Sequence, residues 1–124
     1  MLFFAAASLH IKANDDWKKK AANPYYLHRS LKQVTDVMVH DIYSPPVAAR
    51  IYAYVSVAAY EAGRFQDNTT ISLAKQLHQL AALPHPTAGR EYCYSLASVY
   101  ALLEVARSML ISEDSISIFQ QNIL

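Results

Sequence analysis

Few side chains in this sequence have the types and spacing that chemistry requires, and the best pair is Asp36 and His40. They lie four residues apart, which places both on one helix face at a spacing acceptable for two metal ligands. A di-iron bundle would need paired carboxylates and Glu-x-x-His motifs from two helices, and this sequence has none. We therefore interpret the pair as a solvated helix contact and predict no metal site. His28 and His85 are interpreted as ordinary surface residues.

A second candidate is the polar stripe of Tyr52, Ser56 and Tyr60, which recur every four residues. The stripe either packs against neighbouring elements or faces a further domain as a wall near its pocket, and we favour packing. Cys93 is interpreted as a small core residue, because no His/Asp arrangement around it can be argued. The sequence thus predicts no catalytic, cofactor-binding or metal-binding residue in this chain.

The composition indicates one helical domain. The chain has 124 residues, of which 53% are hydrophobic and 17% charged, with a formal net charge of +1. Acids and bases are interspersed, so nothing in the charge pattern points to nucleic acid or an anionic membrane surface. A single cysteine excludes an internal disulfide and a cysteine zinc cluster. Only two glycines and few alternating β-branched residues disfavour a sheet protein.

The first thirteen residues carry an apolar run, Leu2 to Leu9, of the length of a signal-peptide core. The Lys or Arg that usually precedes such a core is missing. Two interpretations of residues 1–13 therefore stay open. One is an export signal or its remnant, which implies a periplasmic or exported protein. The other is a short apolar docking segment of a cytoplasmic protein. A membrane span is disfavoured, because eight apolar residues are too few to cross a bilayer.

The longest apolar stretch runs from Ser44 to Gly63 and has a marked beginning and end. Ser44 suits an N-cap, and Pro45 is tolerated at the first helical position because it needs no N–H partner there. Gly63 suits the left-handed residue that closes a helix. Three polar residues besides the tyrosines interrupt the stretch. The pattern predicts a central helix that is buried on most of its faces.

The remaining helices are predicted from apolar residues at helical spacing and from end signals. The strongest is an amphipathic helix with Leu27, Leu31, Val34 and Met38 on its apolar face. The predicted segments are residues 14–20, 23–40, 73–80, 91–111 and a last helix from Ser112 onward.

Asp41 lies beside the apolar stripe of its helix rather than on the polar face. A carboxylate in that position needs a partner, because an unpaired buried charge is costly. Arg50 is the nearest cation along the chain past the Pro-Pro turn. We predict an Asp41–Arg50 ion pair that fixes the angle between the two helices.

The fold class predicted is all-α, a bundle of four to six helices over residues 14–124. A domain of this size leaves much of its surface in water, so it can hardly bury two helices that are apolar nearly all round. The chain therefore either forms a homo-oligomer or is the N-terminal part of a larger all-α protein. The absence of a C-cap after the last predicted helix favours the second alternative.

Several segments together resemble the N-terminal helical region of bacterial vanadium-dependent haloperoxidase-like proteins, in the type 2 phosphatidic acid phosphatase superfamily. The resemblance covers the chain from about Asp15 to Asp114. The segments that carry it are Trp17-Lys18-Lys19, residues 23–30, residues 35–54, Glu91-Tyr92-Cys93 and Ser112-Glu113-Asp114.

The resemblance implies later helices that hold phosphate or vanadate with a Lys, an Arg-Pro, a Pro-Ser-Gly-His segment and a Ser-Arg…His. None of these motifs occurs here, so the chain alone is expected to be inactive and no catalytic residue is carried over. The expected function is a helical scaffold, with the catalytic domain packing on the central helix and vanadate bound only in the full-length protein. The alternative is a stand-alone helical interaction module that forms a homodimer.

Overall fold

The computed structural model describes residues 16–124, and within that range the chain is helical, with no strand. The expected all-α bundle of four to six helices is confirmed. The predictions for residues 1–13 lie outside the described residues. The helices are α1 (Asp16–Ala21), α2 (Tyr25–His40), α3 (Pro45–Gly63), α4 (Tyr94–Met109) and α5 (Glu113–Ile123), with a 3₁₀ turn at Arg64–Gln66.

Helix α2 forms as its sequence pattern predicts. The side chain of Asn23 accepts a hydrogen bond from the Tyr25 N–H at 3.0 Å, which satisfies one of the free donors at the helix start. Val34 and Met38 are buried, and Leu27 and Leu31 pack half-buried against the core. The apolar stripe therefore faces inward, and the charged face of the helix stays in water.

The core lies where α3 and α4 pack against each other, with α2 and α5 covering one side. The start of α4 touches the end of α3, because the Ser98 hydroxyl donates to the Ala59 carbonyl at 2.7 Å. At the other end, the Tyr43 hydroxyl ahead of α3 lies 3.3 Å from the Met109 carbonyl. The two helices therefore run antiparallel. The buried apolar residues are Val34, Val37, Met38, Ile51, Val55, Ala59, Val99, Leu102, Leu103, Ala106, Leu110 and Ile116.

Gly63 does not close α3 in the left-handed conformation, so that prediction is wrong. Its φ is −84°, and the chain continues into the 3₁₀ turn. A Cβ at Gly63 would lie 3.3 Å from both Cβ and Oγ of Ser98, tighter than ordinary van der Waals contact. The glycine therefore serves the close approach of α3 and α4 rather than the helix end.

The helix predicted through Leu73, Leu77 and Leu80 is also wrong. Residues 67–93 form turns and irregular backbone, with Lys75 and Gln79 at φ values of 68° and 63°. Positive φ values are incompatible with a helix, so the leucine spacing alone misleads here. The second long helix accordingly begins at Tyr94 rather than Glu91.

The predicted Asp41–Arg50 ion pair does not form. Arg50 is exposed, whereas Asp41 accepts hydrogen bonds from the Ser112 N–H at 3.1 Å and the Ser112 hydroxyl at 2.6 Å. The Ser112 hydroxyl, followed by His40, holds the pKa of Asp41 below its ordinary value. Helix α5 does begin after Ser112, as predicted. The serine side chain, however, binds Asp41 instead of capping its own helix.

Tyr43 strengthens the same junction. Its hydroxyl donates to the Met109 carbonyl at 3.3 Å and accepts from the Ile111 N–H at 3.0 Å. Asp41 and Tyr43 together tie the α2–α3 connection to the α4–α5 connection, two parts of the chain about seventy residues apart. This junction fixes the relative placement of four of the helices.

Candidate functional site

The two residues with metal-ligand spacing do not converge on a common point. Asp36 binds Lys32 through both oxygens, at 2.8 Å and 2.6 Å, and the His40 Nδ1 lies 3.1 Å from an Asp41 oxygen. Within residues 16–124 no group of three or more His, Cys, Asp or Glu side chains is placed to hold a metal ion. Asp36 and His40 therefore bind other neighbours, Lys32 and Asp41, and the predicted contact between the two is not what the structure shows.

The tyrosines of the α3 stripe are used in packing. The Tyr52 hydroxyl lies 2.7 Å from Oγ1 of Thr35 on α2, and the Tyr60 hydroxyl donates to the Ile71 carbonyl at 2.8 Å. Ser56, between them, is exposed. Each tyrosine thus fastens α3 to a different neighbour, and the stripe as a whole lines no common pocket.

Cys93 and His85 also have unremarkable surroundings. Cys93 is half-buried and immediately precedes α4. The His85 ring meets the Phe65 ring edge-on, with centroids 5.6 Å apart.

A groove of about 550 Å³ between α2 and α5 gathers three basic side chains, His28, Arg29 and Lys32. Clustered basic side chains are what an oxyanion would need. Lys32 is neutralised by Asp36, and Arg29 is turned onto the Tyr25 ring and hydroxyl. All three basic residues are exposed. Their backbone N–H groups are not free, since the His28 N–H donates to the Pro24 carbonyl at 3.0 Å and Arg29 and Lys32 lie further inside the helix. These residues do not fit vanadate or phosphate, which require convergent unpaired cations and free backbone donors.

Glu61 is the buried charge that sequence analysis did not single out. It lies on α3 with only 1% of its surface exposed. Its carboxylate accepts hydrogen bonds from the Leu73 N–H at 2.5 Å, the Ser72 hydroxyl at 3.0 Å and 3.1 Å, and Nε of Arg64 at 2.9 Å. Arg64 follows Glu61 by three residues, and this spacing could have indicated an ion pair on the helix. The other two partners, Ser72 and Leu73, could not have been found, because their segment was predicted to be helical.

The pKa of Glu61 reflects two opposing effects. Burial raises it, because the charged form loses its hydration. The hydrogen bonds from the Leu73 N–H, the Ser72 hydroxyl and Arg64 outweigh burial, so the pKa lies below its ordinary value. Glu61 is therefore ionised and fully bonded, and it holds the irregular segment onto α3. Its position suits anchoring rather than proton transfer.

Next to Glu61 lies an apolar concave surface, which we call the α3–α4 groove. It has a volume of about 550 Å³ and is formed by one face of each helix and by the irregular segment. Except for Glu61, its lining is apolar or aromatic. The lining residues are Tyr54, Val57, Ala58, Glu61, Ala62, Phe65, Leu80, Leu83, Pro84, Ala101, Val105 and Met109.

None of the helices within residues 16–124 is long and apolar enough to cross a membrane.

A comparison with protein-family models found no match, and a comparison with curated proteins found none either. Among solved structures, the chain is similar to a bacterial vanadium-dependent iodoperoxidase, with 41% sequence identity and a TM-score of 0.76. The match covers 81% of this chain and 24% of that protein, so the chain spans about a quarter of its relative's length. The predicted resemblance to bacterial vanadium-dependent haloperoxidase-like proteins is thereby confirmed.

Proposed function

We propose that this chain is the N-terminal helical scaffold of a vanadium-dependent haloperoxidase or phosphatidic acid phosphatase-like enzyme. The catalytic domain, with its phosphate- or vanadate-binding pocket, lies in further chain that packs on α3. The observation that carries the proposal is the 41% identity over 81% of this chain combined with coverage of only 24% of the iodoperoxidase.

The charges of the described helices support a scaffold rather than a site. Arg64 is committed to Glu61, Lys32 to Asp36, and Arg107 to Glu104. An oxyanion pocket needs cations that are not already neutralised by carboxylates, together with donors aimed at one point. The residues described here contribute rigidity, through the core and the junction at Asp41 and Tyr43. The chemistry belongs to residues outside this chain.

The test begins with the reading frame beyond Leu124. We expect it to encode a Pro-Ser-Gly-His segment and a later Ser-Arg…His. The full-length protein, loaded with vanadate, should then oxidise halide with hydrogen peroxide, or hydrolyse a phosphate monoester when vanadate is left out. The 124-residue chain alone should do neither. A natural stop codon after Leu124, or halide oxidation by the short chain, would refute the proposal.

A second candidate is a stand-alone interaction module that covers the α3–α4 groove with a second copy. The apolar lining of that groove is the observation that favours it. Light scattering on the purified 124-residue chain separates the two candidates. A stable dimer whose formation buries the groove supports the module, whereas a monomer that exposes apolar surface supports the scaffold.

A further inference from the structure

We infer that one apolar helix, from the remaining part of the parent protein, packs into the α3–α4 groove. The inference rests on the proposed function, because it requires further chain. It goes beyond that function by assigning the contact to one surface of residues 16–124 and one kind of occupant.

The shape of the groove suits a helix. Its lining includes Ala58 and Ala62 of α3 and Ala101 of α4, whose small side chains let another backbone come close. The larger side chains of Tyr54, Phe65 and Met109 also line it. Two antiparallel helices with alanines along their shared side leave the channel that a third helix fills in layered helical packing.

The chemistry of the groove excludes a polar occupant. Glu61 is the one charged residue among its lining side chains, and both of its oxygens are taken by Arg64, Ser72 and Leu73. A small polar ligand would find no convergent donors or acceptors to orient it, as binding pockets normally provide. An apolar helix needs no such groups, because its own backbone is already hydrogen-bonded.

A second copy of the described chain is the competing occupant, because two α3–α4 faces could pack on each other. Val34 of α2 and Ile116 of α5 already lie in the core, so the main apolar stripes of these two helices do not fill the groove. About three quarters of the iodoperoxidase lies outside the part that this chain matches, so a protein of that length has ample further chain to supply a helix. We therefore assign the occupant to the same polypeptide.

The test compares one substitution in two proteins. Ala58→Arg places a charge in the lining of the groove, and Ala53→Arg makes the same change on an exposed position of α3 outside the groove. In the full-length protein, Ala58→Arg should lower the Tm by at least about 5 °C, because the charge would be buried without a partner. Ala53→Arg should change it little. In the 124-residue chain both variants should keep the parent Tm, since the groove is open to water.

The outcomes separate this inference from the proposed function. If Ala58→Arg and Ala53→Arg behave alike in the full-length protein, the groove is not the seat and the inference fails, whatever the enzyme's activity. If the 124-residue chain is a dimer that Ala58→Arg dissociates, a second copy is the occupant and the inference also fails. If the long chain shows the expected contrast in Tm but lacks oxyanion motifs and activity, the groove assignment stands and the proposed function falls. A natural stop after Leu124 overturns both.

Discussion

Replacing Glu61 by Gln tests how residues 67–93 are held to the helical core. The substitution keeps the shape of the side chain but removes its charge. The carboxylate has 1% of its surface exposed and receives hydrogen bonds from Leu73, Ser72 and Arg64. The carboxylate has two acceptor oxygens, whereas the glutamine amide has only one. The NH₂ group of the amide would therefore point at one of the hydrogen-bond donors that now bind the second oxygen.

The expected loss follows from those contacts. The Arg64 side chain is only 11% exposed, so it would keep a nearly buried charge without its partner. Losing a hydrogen bond to a charged group costs about 1.5–3 kcal/mol, and breaking a buried pair from one side costs more. We expect Glu61→Gln to lower the free energy of unfolding by about 2–3 kcal/mol at pH 7, measured by urea denaturation. The exchange of the Leu73 amide hydrogen should accelerate in the same variant.

The effect should depend on pH in a defined direction. The folded pKa of Glu61 lies below its ordinary value of 4.5. Its contribution to stability is therefore complete above that value and is lost as the pH falls through the lower folded pKa. The stability difference between the wild type and Glu61→Gln should accordingly narrow in acid.

Glu104→Gln is the matched control for Glu61→Gln. Glu104 is also paired with an arginine three residues along and accepts a hydrogen bond from Gln120, but both ion-pair partners are partly exposed, so that variant should lose clearly less stability than Glu61→Gln. A loss below about 0.5 kcal/mol in Glu61→Gln, with unchanged exchange at Leu73, would refute the assignment of Glu61 as the anchor of this segment.

Three further variants test the helix contacts. Tyr43→Phe removes the hydroxyl bonded to Met109 and Ile111 and should cost about 1 kcal/mol in urea denaturation; an unchanged midpoint would mean that water replaces it. Gly63→Leu forces a side chain against Ser98 and should destabilise by about 1–3 kcal/mol, whereas Gly63→Ala should cost far less; equal effects would contradict the close approach of α3 and α4. Arg50→Met should change the unfolding free energy by less than about 0.5 kcal/mol, because Arg50 is exposed. A larger loss of stability would instead support the ion pair between Arg50 and Asp41.

The sequence predicted those parts of the fold that depend on local pattern. Helix α2 combines a cap at Asn23 with an apolar stripe of period 3.6, and both signals are local. The start of α5 after Ser112 was predicted for the same reason. For α2, periodicity and the start signal agreed, and both the element and its buried face were right. Helix α3 also forms, but only Ile51, Val55, Ala59 and Glu61 are buried, so the prediction of burial on most faces was wrong for the described residues.

The errors lie where contacts between distant residues decide the structure. Leu73, Leu77 and Leu80 have helical spacing, yet the backbone there follows hydrogen bonds to Glu61 and Tyr60 on another element. Asp41 was correctly identified as needing a partner, but the partner proved to be Ser112, seventy-one residues away, instead of the nearest cation in sequence. Proximity along the chain is a weak guide for pairing polar groups, because the fold brings remote ends together.

The same reasoning applies to Gly63 and sharpens the meaning of α3. A glycine after an apolar run has two uses, closing a helix or admitting a neighbour, and sequence alone favours the commoner one. Here it admits α4, and the alanines at positions 58, 62 and 101 continue a surface of small side chains on the two helices. Gly63 and Ala59 are small because α4 packs closely against them at Ser98. The alanines that line the groove lie at a concave surface that no further helix of residues 16–124 fills. The groove is lined by alanines and its single carboxylate is already hydrogen-bonded, which is why we propose that a further helix covers it.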